Sequence, residues 1–128
     1  MSHFTNAELE YLGGGERRLA RLATVGTDGM PHVAPVGFAH DPDADTIDIG
    51  GHHLERTKKY RDVRRDGRVA VVIDDVLPPW RPRGIEVRGR ADAVGEPEPR
   101  IRIHPERIIS WGIESDEIGR HHARDVTA

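Results

Sequence analysis

The stretch best equipped for chemistry runs Gly50-Gly51-His52-His53-Leu54-Glu55-Arg56-Thr57-Lys58-Lys59-Tyr60-Arg61. A strand end passes through two glycines into the start of a helix. Free backbone N–H groups and the positive end of the helix dipole make such a terminus an anion site. Thr57 adds a hydroxyl, and Arg56, Lys58, Lys59 and Arg61 add positive charge. Together they suit a phosphate held by charge-assisted hydrogen bonds. The alternative is a solvated basic helix face. A second stretch, Asp74-Asp75-Val76-Leu77-Pro78-Pro79-Trp80-Arg81-Pro82-Arg83-Gly84, presents an indole between guanidinium groups on a stiff, proline-rich loop. Trp80 could stack on a flat ligand while Arg83 pairs with its anionic tail. Equally, Trp80 could plug one barrel end, with an arginine paired to Asp74 or Asp75.

Other chemistries lack their residues. The chain has no cysteine, which removes disulfides, thiol nucleophiles and Cys-ligated metals. The paired histidines, His52-His53 and His121-His122, alternate sides if they lie on strands and chelate poorly. No H-E-x-x-H spacing occurs, so no metal site is expected. Ser2, Ser110 and Ser115 are the only serines, and none sits in a G-x-S-x-G elbow. Gly13-Gly14-Gly15 follows a helix and precedes a strand, the wrong order for a dinucleotide fold. Lacking a protein nucleophile or metal, the chemistry falls to a bound organic cofactor. No catalytic residue can be assigned.

The elements that must position these residues are short. The chain has 128 residues, 36% hydrophobic and 32% charged, with 14 glycines and 9 prolines, a composition of strands and turns. Its net charge of -3 gives no global field for nucleic acid, yet eleven of its 19 basic residues lie between Arg56 and Arg90. No apolar run reaches the roughly 20 residues of a membrane span, and no signal peptide opens the chain, so a cytoplasmic protein is expected.

Thr5-Asn6-Ala7-Glu8 fits a capping box for a helix to about Leu12. Strands are expected at Arg18 to Val25, Pro31 to His40 and Thr46 to Gly50, a meander. Leu54 to Asp66 reads as a helix whose narrow apolar stripe holds Leu54, Tyr60 and Val63. Arg68 to Asp74 reads as a strand buried on both faces, Val76 to Gly84 as a loop, and Ile85 to Val94 as a cleanly alternating strand. Arg100 to His104 and Arg107 to Trp111 read as two more strands. After Glu114 the pattern fades. The expected organisation is one domain over 1–128, with an ordered core of about 4–114, mainly β with few helices.

Several blocks, in this order, carry a family resemblance. They are Arg21-Leu22-Ala23-Thr24-Val25-Gly26 with Asp28-Gly29 and Pro31-His32-Val33; Pro35-Val36-Gly37-Phe38; Thr57-Lys58-Lys59-Tyr60-Arg61-Asp62-Val63 leading into Arg68-Val69-Ala70-Val71-Val72; Pro79-Trp80-Arg81-Pro82-Arg83-Gly84; Glu86-Val87-Arg88-Gly89; and Arg107-Ile108-Ile109-Ser110-Trp111-Gly112. The chain resembles the pyridoxamine-phosphate-oxidase-like split β-barrel superfamily, and within it the deazaflavin (coenzyme F420)-dependent oxidoreductases. The last blocks look closest to a subgroup that includes reductases of polyketide antibiotic biosynthesis.

The resemblance implies a six-stranded, FMN-binding-like split β-barrel that works as a homodimer, with cofactor grooves at the interface. It implies a cofactor phosphate near Thr57, Lys58 and Lys59, and a ring system near His32, Pro35, Val36 and Gly50. It implies that Trp80 and Arg83, or Trp111, close the groove, from the same or the partner subunit. The implied reaction is hydride transfer between the deazaflavin and a small conjugated substrate. Relatives of this fold also use FMN, and some only bind a cofactor or metabolite; the many arginines and lysines favour the more anionic F420.

Overall fold

The computed structural model describes residues 1–14, 18–114 and 120–126. Gly15 of the glycine run and Ser115 lie outside them. The chain order is α1 (Asn6–Leu12), β1 (Ala20–Val25), β2 (Pro31–Asp41), β3 (Thr46–Gly50), a 3-10 turn (Leu54–Arg56), α2 (Lys58–Arg65), β4 (Arg68–Leu77), β5 (Arg81–Val94), β6 (Arg100–Trp111) and β7 (His121–Asp125). The strands lie in the order β3-β2-β1-β4-β5-β6-β7, and β3 also pairs with β6. The first six strands therefore close into a barrel, which removes the exposed edges an open sheet would carry.

Alternation explains the closure. Leu22 on β1, Ile47 and Ile49 on β3, Val71 and Ile73 on β4, Ile85 and Val87 on β5, and Ile101 and Ile103 on β6 all point inward and are buried. Burying one such side chain contributes about 1.5–3 kcal/mol. Ile47 meets Ile103 and Ile49 meets Ile101 across the closing seam. The capping box of α1 forms as expected, with Glu8 N–H donating to Thr5 and Thr5 N–H to the Glu8 carboxylate.

The structure corrects several expected boundaries. Val76 to Gly84 is not a loop: β4 and β5 run on as a hairpin, paired through Leu77 and Arg81. Pro82 is tolerated because alternate backbone groups of an outer hairpin need no ladder partner. The two strands expected at the end of the barrel are one, β6. Pro105 has no N–H to donate, so the ladder slips there: Arg88 faces Arg107 but Gly89 faces Pro105. Arg68 to Asp74 is not buried on both faces; Ala70 and Val72 stay partly open on the barrel exterior.

The expected helix also divides. Thr57 is extended between the 3-10 turn and α2, and its hydroxyl receives the Tyr60 N–H as the α2 N-cap. Beyond Glu114, where no element was expected, β7 pairs along β6 from Arg107 to Trp111. Buried Glu8 holds it there through both guanidinium nitrogens of Arg124, at 2.5 and 3.1 Å. Among the described residues no helix is long and apolar enough to cross a membrane.

Gly89 is where backbone meets backbone: a Cβ there would overlap the carbonyl oxygen of His104. Gly89→Ala is expected to lower the unfolding free energy by about 1–3 kcal/mol, read from urea denaturation. An unchanged midpoint would contradict the close approach at the slipped ladder.

Candidate functional site

The barrel is closed along its length but split at one edge. Pro31 to Val36 of β2 pair with β1, and β3 takes up pairing with β2 only from Gly37. Among the described residues no strand pairs with the other edge of Pro31 to Val36. The chain leaves β3 at Gly50 and turns into α2, whose first residues lie beside that edge.

A pocket of about 280 Å³ opens at this gap. It is lined by Leu22 and Thr24 of β1, His32, Val33 and Ala34 of β2, and Lys58, Lys59 and Asp62 of α2. Lys58 and Lys59 are the first two residues of the helix, where the first-turn N–H groups lack helical partners. Asp62 organises the wall. Its carboxylate is only 1% exposed. Thr24 Oγ1 donates to Oδ2 at 2.9 Å, and His32 Nδ1 lies 3.1 Å from the same oxygen. Oδ1 faces Lys58 Nζ at 3.6 Å and Arg65 Nη2 at 3.4 Å. Arg65 also donates to the carbonyl of Val25, tying the far end of β1 to the helix.

Burial alone would raise the Asp62 pKa, but the hydrogen bonds from His32 and Thr24 and the charge of Lys58 outweigh it and hold the carboxyl below its usual range. His32 is fixed from its other side by Gly26, where a Cβ would overlap the imidazole Cε1.

Further along β2, about 10 Å from Ala34 at a strand's rise per residue, lies a second pocket of about 520 Å³. Gly37 and Gly50 are cross-strand partners in its floor, and a Cβ on either would meet nothing within 4 Å. Asp48, Arg100 and the turn Pro97-Glu98-Pro99 form its sides.

The residues singled out from the sequence are thus distributed as follows. His32, Lys58 and Lys59 share the first pocket, and Gly50 lies in the second. Pro35 is exposed between them; the Val36 side chain is buried in the core, so only its backbone faces outward. The hydroxyl of Thr57 caps α2 and donates to the carbonyl of Leu54 at 2.6 Å. Trp80, Arg83 and Trp111 line neither pocket. Trp80 is 69% exposed at the hairpin tip. Arg83 holds Asp75 through two nitrogens, at 2.8 and 2.9 Å, and lies over the Tyr11 ring with Arg18, lining a separate pocket beside α1. Trp111 packs near His121.

Asp62, Thr24 and Gly37 were not picked out from the sequence. Asp62 carried a signal: it is the one acid in the run Lys58 to Arg65, beside the buried Val63. Thr24 and Gly37 carried none, since only the β1–β2 and β2–β3 registers bring them to the gap.

The sequence profile of the family described as Pyridoxamine 5'-phosphate oxidase matches residues 7–127. A 5a,11a-dehydrotetracycline/5a,11a-dehydrooxytetracycline reductase from Streptomyces rimosus is 43% identical, over 98% of this chain and 94% of its own. Among solved structures, a conserved hypothetical protein from Mycobacterium tuberculosis superposes with a TM-score of 0.70 at 24% identity, covering 84% of each chain. One described as an F420 reductase superposes with a TM-score of 0.58 at 24% identity, covering 77% of this chain and 94% of that one. These two structures share the fold.

Removing the Asp62 acceptor strands the buried Thr24 hydroxyl and leaves the neighbouring cations uncompensated. Asp62→Ala is expected to cost about 1–3 kcal/mol at neutral pH. A carboxyl held below 3.8 in the folded state stabilises the fold above that value and stops doing so as pH falls through its lower folded value. Unfolding free energies of wild type and variant should therefore converge in acid; a gap that stays constant down to acid unfolding would contradict the network.

Proposed function

The chain belongs to the pyridoxamine 5'-phosphate oxidase family, and from that premise we propose that it is an F420-dependent oxidoreductase that reduces a small, conjugated organic substrate. The observation that carries this reading is the 43% identity, over nearly the whole of both chains, to a reductase of dehydrotetracyclines.

The split edge suits the cofactor. The paired glycines Gly37 and Gly50 leave a flat floor for a planar ring system. The unpaired edge of β2 offers backbone donors and acceptors to the edge of a heterocycle. Lys58, Lys59 and the first N–H groups of α2 offer a phosphate site. When bound, a reduced deazaflavin supplies a hydride equivalent to an unsaturated carbon. The chain's own part is to bind and orient: the lysines hold the phosphorylated end, and the glycine floor fixes the height of the ring. Such positioning is where most of a cofactor enzyme's contribution lies.

The site is completed by a second copy of the chain. The barrel exterior across β2, β1 and β4 carries Val33, 71% exposed, with Pro35, Ala23, Ala70 and Val72, a mostly apolar face, contiguous with the cofactor edge, in which Arg21 sits between Pro35 and Val72. A homodimer through this face buries it and leaves the exposed Trp80 of each hairpin free to reach its partner's groove.

The reading is tested by titrating the purified protein with F420 and with FMN by fluorescence, then following oxidation of reduced F420 with dehydrotetracyclines and simpler enones. F420 binding with substrate-dependent oxidation is the expected result. A protein that retains FMN and ignores F420 would replace the cofactor, and binding without turnover across the panel would remove the activity. The Lys58→Ala, Lys59→Ala double variant should bind cofactor about 2–4 kcal/mol more weakly, since each charged hydrogen bond contributes about 1.5–3 kcal/mol with overlap. Undiminished affinity would move the phosphate elsewhere.

A further inference from the structure

A buried carboxylate is an unexpected wall for an anion pocket, because it repels the ligand that the lysines attract. Its geometry gives it a use. An ionised carboxylate only accepts hydrogen bonds, so the His32 nitrogen facing it, Nδ1, carries a proton. In a neutral imidazole the other nitrogen then has none and is itself an acceptor, unable to bond to a phosphate oxygen. Among the described residues His32 Nε2 has no hydrogen-bond partner, and the ring lines the same pocket as Lys58 and Lys59. Gly26 packs against the Cε1 edge of the ring and Asp62 engages Nδ1, which leaves Nε2 as the ring nitrogen without a partner.

We propose that Asp62 is a positioning residue that makes His32 a third cationic contact for the cofactor phosphate, so that cofactor binding takes up a proton at His32. The inference rests on the phosphate placement of the preceding section.

The charges around the imidazole set the direction. From α2 it faces Asp62, Lys58, Lys59 and Arg65; from the β1–β2 turn it feels Asp28; β1 contributes only Thr24 and Leu22, which are uncharged. A phosphate among the lysines would favour the doubly protonated ring, which then donates Nε2–H to it. Asp62 stabilises that imidazolium from behind, as a carboxylate does for a histidine that must carry charge.

The test is calorimetric titration of wild type, His32→Gln and Asp62→Asn with F420 and with FMN, in two buffers of different ionisation enthalpy. Riboflavin, which is FMN without its phosphate, serves as the control. Both substitutions keep the size of the side chain, so circular dichroism should register a native fold. Wild type is expected to take up as much as one proton more per ligand than His32→Gln, with Asp62→Asn between them. Its affinity should rise as pH falls, a dependence that flattens in His32→Gln. A purely structural role for Asp62 would weaken riboflavin and FMN alike and would leave proton uptake unchanged. Equal uptake in wild type and His32→Gln, or His32-dependent uptake with riboflavin, would overturn the inference while leaving the cofactor reading in place. Failure of wild type to bind either F420 or FMN would overturn both.

Discussion

The contact on which the rest depends is the one between the Asp62 carboxylate and the β1–β2 hairpin. Burial of Leu54, Tyr60 and Val63 brings the 3-10 turn and α2 onto the barrel core. What fixes α2 at the gap is a buried acid that needs acceptor work to do: Thr24 and His32 supply donors from two strands, and Lys58 and Arg65 supply charge from the helix itself. An ionised group this deep costs free energy unless every oxygen is engaged. The first turn of α2, with its lysines, is therefore held against the free edge of β2 by a requirement of the interior, not by the surface charges that mark it in the sequence.

The second constraint is where pairing stops. β2 changes partner at Val36 and Gly37, from β1 to β3, and among the described residues no strand pairs with the edge left over on each half. Backbone donors and acceptors on such an edge must go to water or to a ligand. The glycine pair Gly37 and Gly50 keeps the neighbouring surface low. Under the proposed function a planar heterocycle with a phosphorylated tail would meet both conditions, and the exterior beside them is the face proposed for a second copy. Family membership, the strand edge and the cationic helix start point the same way from independent observations.

Much of this was legible in the sequence, and the remainder had physical reasons to be hidden. Alternation located the barrel strands, because one face of each is buried and the other is not. It broke β6 in two at Pro105, where a register slip interrupts the alternation without ending the strand. It turned the Pro78–Pro79 hairpin into a loop, since proline density reads as a turn even where the flanks stay paired. β7 was invisible because its strand is almost wholly exposed and is anchored by Arg124 to Glu8, a partner far away in sequence. Lys58 and Lys59, which line the first pocket, stood out because their charge follows a strand end and two glycines into a helix start. Asp62 was passed over, since an acid in a basic run looks like a solvated surface pair, and only the docking of α2 shows that it is buried.

The most direct measurement of the central claim is a crystal structure of the protein with F420 or FMN bound. The account predicts the phosphate at the first turn of α2, within hydrogen-bond reach of Lys58 or Lys59, with the ring extending along β2 toward Gly37 and Gly50. A phosphate seated instead against Arg18 in the pocket beside α1, with the α2 lysines in solvent, would contradict it.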